Sequence, residues 1–414
     1  MPEPQRGDLV IRGGLVADAA HPLAEARDIL VRDGVIVTIG PPGIAVPEGT
    51  AVFDASGLLL HPGLVNGHTH SHGFLGRGIG DRWTLELLLA ASPWVSGGRT
   101  MDDIALSATI GAAELALKGC TAVLDMVGEL PLPTEEGLDA VASAYDRVGL
   151  RAVIAPLVAD RTLYQAIPPL AEALPGELRE EVARLALPPW ERTFDALVRL
   201  VRGWRWSGRG IGFGLGPTIP THCDDAFLRA CARLAGEHGL PLTMHVAESK
   251  VQAVIGGRTY GRSLVRHLDA LGLIGPRFIA AHAIWLDDEN RAILAARGAS
   301  VIHNPSSNMK LGNGLSRCAR RSMPGSRSGS AQTPAAAATT STCTRQCASP
   351  RCCRRCRAPT RLPGCRQRRL IVPARRVLRG RSAFPASAGS RRARWPTSSS
   401  SISATRTGCR TAGR

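Results

Sequence analysis

The stretch PGLVNGHTHSH, residues 62–72, sets an apolar run beside two histidines, His68 and His70, that stand two positions apart. Strand side chains alternate faces with period 2, so both imidazoles point the same way. They would converge at the C-terminal end of the strand, where (β/α) barrels carry their sites. A metal ion asks a strand for just such a pair, whereas histidines that merely fill a core more often occur singly. His72 continues the alternation but falls past the expected strand end, in loop.

On the N-terminal side, DLVIRGGLV, DILVRDGVIVTIG and AVFDASGLLL are short β-type runs bounded by Gly, Pro or Asp. They predict that residues 1–60 form the N-terminal part of a small β-sandwich. On the C-terminal side the apolar runs LVNGHTH, TAVLDM, RAVIAPLVA, IGFGLGPTI, PLTMHVAE, FIAAHAIWL and ASVIHNP alternate with helical stretches. Two of those stretches, 102–119 and 224–239, open on acidic residues and close on Gly. This alternation predicts an α/β fold, a (β/α)8 TIM-type barrel over 61–316. Only strands one to seven are visible, so the barrel is expected to lack strand eight.

The chain changes character at about residue 317. Its formal charge of +17 suggests nucleic acid or a membrane surface until the charge is located. From Cys318 onward there are 22 Arg and no Lys, Asp or Glu, which leaves 29 basic and 34 acidic residues in the first 317. At the composition of that body, the tail would hold roughly ten acidic residues. Eight of the 11 cysteines also lie in the tail; the body keeps Cys120, Cys223 and Cys231, a pattern expected of a reduced, cytoplasmic, soluble protein. No leader-type apolar segment opens the chain, and no run is long and apolar enough to span a bilayer.

Two readings of 317–414 follow. One is a disordered Arg/Ser/Cys-rich arm. The other comes from the genetic code: joining each codon's last base to the first two of the next lets residues 329–350 be reread as VGTDAGGGNDIDMYEAMRLA, and 317–329 as MRAALDAGVPVG. Together these give a helix end, a turn, a strand and a turn, the missing barrel unit. Several positions are choices, but the Gln332/Thr333 junction permits only Asp or Asn. A frameshift near Leu315 to Cys318 is the reading we favour.

Two more clusters accompany the first, TMHVAES with His245 and Glu248, and AAHAIWLDDE with His282. Each histidine alone would be unremarkable, but three histidine-bearing strand ends at barrel spacing are not. DLVIRGG, HPGLVNGHTH, HVAES, AHAIWLDDE and VIHNPSSNMKLGNG together resemble the aminohydrolase branch of the amidohydrolase superfamily, from about Asp8 to about Ser316. The resemblance implies that His68, His70 and His245 are metal ligands, that Glu248 shuttles a proton and that His282 polarises water or substrate. It further implies a ligand aspartate on strand eight, recovered here only in the alternative frame. The fourth run, IGFGLGPTI, has no Lys, where binuclear members of the superfamily carry a bridging one, so one ion is expected, Zn2+ first and Fe2+ second.

By that resemblance the chain is a metal-dependent hydrolase of non-peptide C–N bonds, deaminating a nucleobase- or triazine-like heterocycle, with activity impaired by the altered C-terminus. A second reading is hydrolysis of a cyclic amide of the imidazolone type. A third, of another class, is nucleic-acid binding through the basic tail, against which stands the absence of Lys or helical organisation there. The partner expected is a small heterocycle, with no membrane and no nucleic acid; a homo-oligomer is compatible with the sequence. His222, Trp83 and Asn304 are candidate substrate contacts. Loop, packing and turn roles are equally open for them, as for Trp94, His303, Asn308 and Asp125. Resequencing the coding DNA around Leu315 to Cys318 should reveal one inserted or deleted base; an unbroken frame there would remove the frameshift reading.

Overall fold

Alternating apolar residues set the first sheet. In the computed structural model, which describes residues 7–17, 23–314 and 316 and the backbone of 367–370 and 402–407, strand β1 (Leu9–Val16) buries Leu9, Ile11 and Val16. It pairs antiparallel with β2 (Glu25–Arg32), and β2 pairs with β3 (Val35–Gly40). Its other edge runs parallel to β4 (Ala51–Asp54) and then β5 (Leu58–Pro62). Ile29, Ala55, Leu58 and Leu60 complete this small core. The register of β1 slips between Ile11 and Gly14, where Gly13 has a φ of +66°. The buried Asp28 carboxylate accepts the Gly13 N–H at 2.8 Å and pairs with Arg12, pinning that bulge.

Directly after β5 the chain enters the barrel through β6 (Leu64–Thr69). Strands β7 (Cys120–Gly128), β8 (Arg151–Val158) and the interrupted pair β9 (Ile211–Phe213) and β10 (Gly216–Pro217) follow in parallel order. The break in the fourth strand lies at Gly214 and Leu215, and Leu215 bridges to Leu242 of β11 (Leu242–Val246). There the Leu215 carbonyl accepts from Thr243 N–H at 2.8 Å and the Thr218 carbonyl accepts from His245 N–H at 2.8 Å. β11 continues in parallel to β12 (Phe278–His282) and β13 (Ser300–Ile302). All seven expected barrel strands are present, in chain order. The place of an eighth, after β13, lies outside the described residues, and so does the aspartate expected there.

The connecting helices start where the sequence supplies caps. Thr100 caps Met101–Leu117 in a reciprocal capping box with Asp103, Thr134 caps Glu135–Val148, and Asp224 caps Asp225–His238. Gly149 and Gly239, both left-handed, close the latter two. These helices and strands share one core, to which Leu115, Tyr145, Ile154, Leu197, Phe227 and Phe278 contribute buried side chains.

Most of 317–414 lies outside the described residues. The two pieces described are strands, β14 (Gln367–Leu370) and β15 (Ile402–Thr407), in a segment where side-chain periodicity predicts none. β15 runs antiparallel along the open edge of β5, from Ile402 opposite Pro62 to Arg406 opposite Leu58, and β14 pairs with β15. Edge pairing is a main-chain interaction and needs no alternation of side chains.

One close approach fixes the loop after β6. The turn Ser71–Gly76 packs on the helix Met101–Leu117 at Gly111, where a Cβ would stand 2.7 Å from Cε2 of the buried Phe74. Gly111→Ala should therefore cost about 1–3 kcal/mol in denaturant unfolding, as overpacking does, and adding Phe74→Leu should restore part of it.

Candidate metal centre

Parallel register, rather than any local feature, assembles the site. His68 ends β6 one residue before its terminus, His70 follows it, His245 lies in β11 and His282 closes β12. From His68, ring centroids lie at 4.7 Å for His70, 4.9 Å for His245 and 5.2 Å for His282. Donor atoms of His68, His70 and His245 fall within 4.8 Å of one another, as do those of His245, Glu248 and His282. Four imidazoles and a carboxyl group thus face one point at the C-terminal mouth of the barrel.

Hydrogen bonds fix which nitrogen of each ring is available. His70 Nδ1 donates to the Met126 carbonyl at 2.8 Å, and His245 Nδ1 donates to the Thr218 carbonyl at 3.0 Å. Carbonyl oxygens only accept, so both Nδ1 atoms carry hydrogen and both neutral rings present bare Nε2 lone pairs. Those two Nε2 atoms face each other at 3.2 Å. Beside them both nitrogens of the buried His68 have no partner among the described residues. Lone pairs aimed at lone pairs repel unless a cation lies among them, and an all-imidazole donor set suits a divalent transition ion. His68, His70 and His245 therefore fit a metal.

Burial drives the protonation of the cluster. It pushes His68 and His245 well below the ordinary histidine range, helped by neighbouring imidazoles, and lowers His70 as well. His282 falls to about 3, chiefly by burial, with its Nδ1 2.7 Å from Asn308 Oδ1. Neutral imidazoles are the form that binds metal. Glu248 moves the other way, up to about 8, because burial and the nearby Glu86 disfavour its charge. Its Oε1 accepts from Asn313 Nδ2 at 3.1 Å and lies 3.3 Å from His282 Nδ1. Its backbone N–H donates to Gln252 Oε1 at 3.0 Å.

The weaker candidates separate. His222, in the turn Pro220–His222 after β10, is buried, held neutral with a pKa of about 4, and near enough to His245 to affect it. Asn304 is buried beyond β13, its carbonyl accepting from Asn308 N–H at 2.9 Å. Trp83 packs over Gly80 of its own loop, and Trp94 is exposed, with Nε1 donating to Glu181. His72 is half-buried in the turn after His70; its Nδ1 accepts from Gly128 N–H at 2.9 Å, and desolvation of its ring lowers it to about 3. His303 is half-buried near His282. Asp125 proves to be an anchor: its carboxyl accepts from Ser71 N–H at 2.8 Å and from the Tyr145 hydroxyl at 2.9 Å. Asn313, Gln252 and Glu86 escaped sequence reasoning. Asn313 stood inside the quoted SSNMKLGNG run and Gln252 one helical turn past Glu248, but neither position alone implies a role.

A parallel α/β barrel with clustered histidines at its strand ends defines a class of metal-binding barrel. The chain belongs to the amidohydrolase family, whose model matches residues 59–330. It is 32% identical over 313 residues to a 5'-deoxyadenosine deaminase of Methanothermobacter thermautotrophicus, a match covering 75% of this chain and 66% of that one. It is 34% identical over 320 residues to a 5-methylthioadenosine/S-adenosylhomocysteine deaminase of Symbiobacterium thermophilum, with the same coverages of 75% and 66%. The chain thus spans just under two thirds of the length of the curated relatives it matches. Among solved structures it is similar to a triazine hydrolase from Arthrobacter aurescens, at TM-score 0.65 and 23% identity, covering 76% of this chain and 68% of the other. An adenosine deaminase from Xanthomonas campestris with bound zinc gives TM-score 0.63 and 26% identity, covering 77% and 67%. Among the described residues no helix is long and apolar enough to cross a membrane.

Burial raises Asp125 to about 6 against the hydrogen bonds that favour its charge. It therefore stays neutral to a higher pH in the folded chain than in the unfolded one. Relative to Asp125→Asn, which stays neutral, the wild type should lose roughly 2 kcal/mol as pH rises from 4 to 7. Urea titrations of both proteins at those two pH values check this.

Proposed function

We propose that the chain carries a mononuclear metal site of the amidohydrolase type and is built to hydrolyse a C–N bond of a heterocycle, an aminopurine nucleoside first and a triazine second. The opposed Nε2 atoms of His70 and His245, 3.2 Å apart beside the unpartnered His68, carry this reading. The printed activities of the relatives supply the substrate class. A divalent ion held by His68, His70 and His245, Zn2+ first and Fe2+ second, would supply Lewis acidity and make water nucleophilic near neutral pH.

The remaining chemistry falls to side chains. Glu248 takes a proton from the attacking water and delivers it to the leaving nitrogen, so that water and a ring C–NH2 become a carbonyl and ammonia. Burial and the nearby Glu86 raise its affinity for a proton, so the carboxyl retains the one it takes from water until the leaving nitrogen receives it. Asn313 holds that carboxyl, and Gln252 holds the Glu248 backbone behind it. His282, oriented by Asn308, lies across the cluster from His68, where it can hydrogen-bond the oxygen that adds to the ring. His222, neutral and beside His245, is suited to contact the heterocycle. A strand-eight aspartate would complete the ligand set, and its displacement by the altered reading frame leads us to expect weak or no turnover from the 414-residue chain.

Elemental analysis of a frame-corrected protein should find about one zinc or iron per chain, lost in His68→Ala and His245→Ala. That protein should release ammonia from 5'-deoxyadenosine or an aminotriazine. Glu248→Gln should keep the metal and lower kcat by about 10²–10⁴. A corrected, folded protein devoid of transition metal would overturn the reading.

A further inference from the structure

Sheet register brings His70 to the barrel mouth but does not by itself hold it there. β6 ends at Thr69, which pairs with Asp125 of β7, and His70 follows in extended backbone with φ −134° and ψ 90°, past the last pair of that ladder. The ladder is also irregular just before this point. Between the Asn66–Val123 and Thr69–Asp125 pairs the register slips, β6 carrying one residue more than β7. Such slips bend a strand and leave the residues around them loosely placed unless other contacts fix them.

Two neighbouring residues of β7 supply those contacts. The Met126 carbonyl accepts from His70 Nδ1 at 2.8 Å and so holds the ring. One carboxyl oxygen of Asp125 accepts from the Ser71 N–H at 2.8 Å and so holds the peptide unit that leaves His70. The other accepts from the Tyr145 hydroxyl at 2.9 Å, which ties the carboxyl to the helix Glu135–Val148. The Ser71 carbonyl in turn accepts from Ser107 Oγ at 2.7 Å, on the helix Met101–Leu117. Asp125, Ser71, Ser107 and Tyr145 are all buried. With its ring bonded to Met126 and the following peptide bonded to Asp125, His70 is restrained twice from one strand, and little freedom remains in its ψ and χ1.

We propose that Asp125 is a positioning residue: anchored by Tyr145 and gripping the Ser71 N–H, it sets the reach of the His70 ring toward the ion that His68, His70 and His245 would share. The proposal rests on the metal-site reading of those histidines. It assigns geometry, not chemistry, to Asp125, and it requires the state of the His70 ring, not stability alone, to follow the Asp125 carboxyl.

NMR of the full chain carrying isotope-labelled histidine reads the His70 Nδ1–H directly, assigned by its absence in His70→Gln. Wild type and Asp125→Asn should both show it, because an Asn oxygen still accepts from Ser71 while its nitrogen donates to the Tyr145 hydroxyl oxygen. Asp125→Val, which removes the acceptor, should lose the signal to exchange with water. Titration with cobalt, followed by visible absorption, gives a second reading. Asp125→Val should bind about tenfold or more weakly, and Asp125→Asn within about threefold of wild type. Tyr145→Phe keeps the Ser71 contact and gives up only its anchor, so it should speed exchange of the Nδ1–H and weaken cobalt by a few fold; no change in either overturns the proposal even if Asp125→Val does not fold. Phe227→Leu, in the core of the helix Asp225–His238, lowers stability away from the site and should leave both readings as in wild type. Should it lose them as Asp125→Val does, or should Asp125→Asn fail to rescue them, the role is merely structural and the proposal falls. A wild type that takes up no cobalt counts against the metal reading, while the Nδ1–H comparison still decides on Asp125.

Discussion

Two bare imidazole nitrogens held 3.2 Å apart in a buried site are electrostatically untenable without a cation, and much of the barrel mouth serves to hold them there. The Met126 and Thr218 carbonyls commit each Nδ1–H, so neither ring can relieve the clash by changing tautomer. Those carbonyls belong to β7 and to the chain just beyond β10, each beside the strand whose histidine it orients. Parallel pairing therefore fixes the tautomers of these histidines as well as their positions. Burial then keeps the rings neutral, since protonation would place charge out of water and among other imidazoles.

The same mouth bends its backbone to the task. Ala247, His282 and Ala283 all adopt left-handed conformations, with φ of 49°, 67° and 46°. Non-glycine residues there cost on the order of 1 kcal/mol or more each. The turns end β11 and β12 abruptly, placing Glu248 behind His245 and the His282 ring within reach of both. The Asn308 and Asn313 side chains hold those two groups in turn.

What the sequence revealed and what it concealed divide along physical lines. The His68/His70 pair, His245, Glu248 and His282 were legible because strand period and strand-end position are local properties. The partners that give them their chemistry were not legible. Met126 and Thr218 act through main-chain carbonyls, which no side chain advertises, and Glu86 acts on Glu248 only because segments far apart in sequence pack together. The seven barrel strands could be read from apolar runs, although the fourth proved to be broken at Gly214 and Leu215. β15 could not be read, since its place rests on hydrogen bonds to the β5 edge and not on a pattern of its own.

That edge lies close in the chain to the histidine cluster. β5 and β6 form nearly one continuous run from Leu58 to Thr69, interrupted only at Gly63, where an added Cβ would come within 2.2 Å of the Thr121 side chain. The same short stretch of backbone is a border of the small sheet at one end and the bearer of His68 at the other. Whatever segment occupies the border of β5, in this chain β15, thereby pairs with the same run of backbone that carries His68 into the barrel.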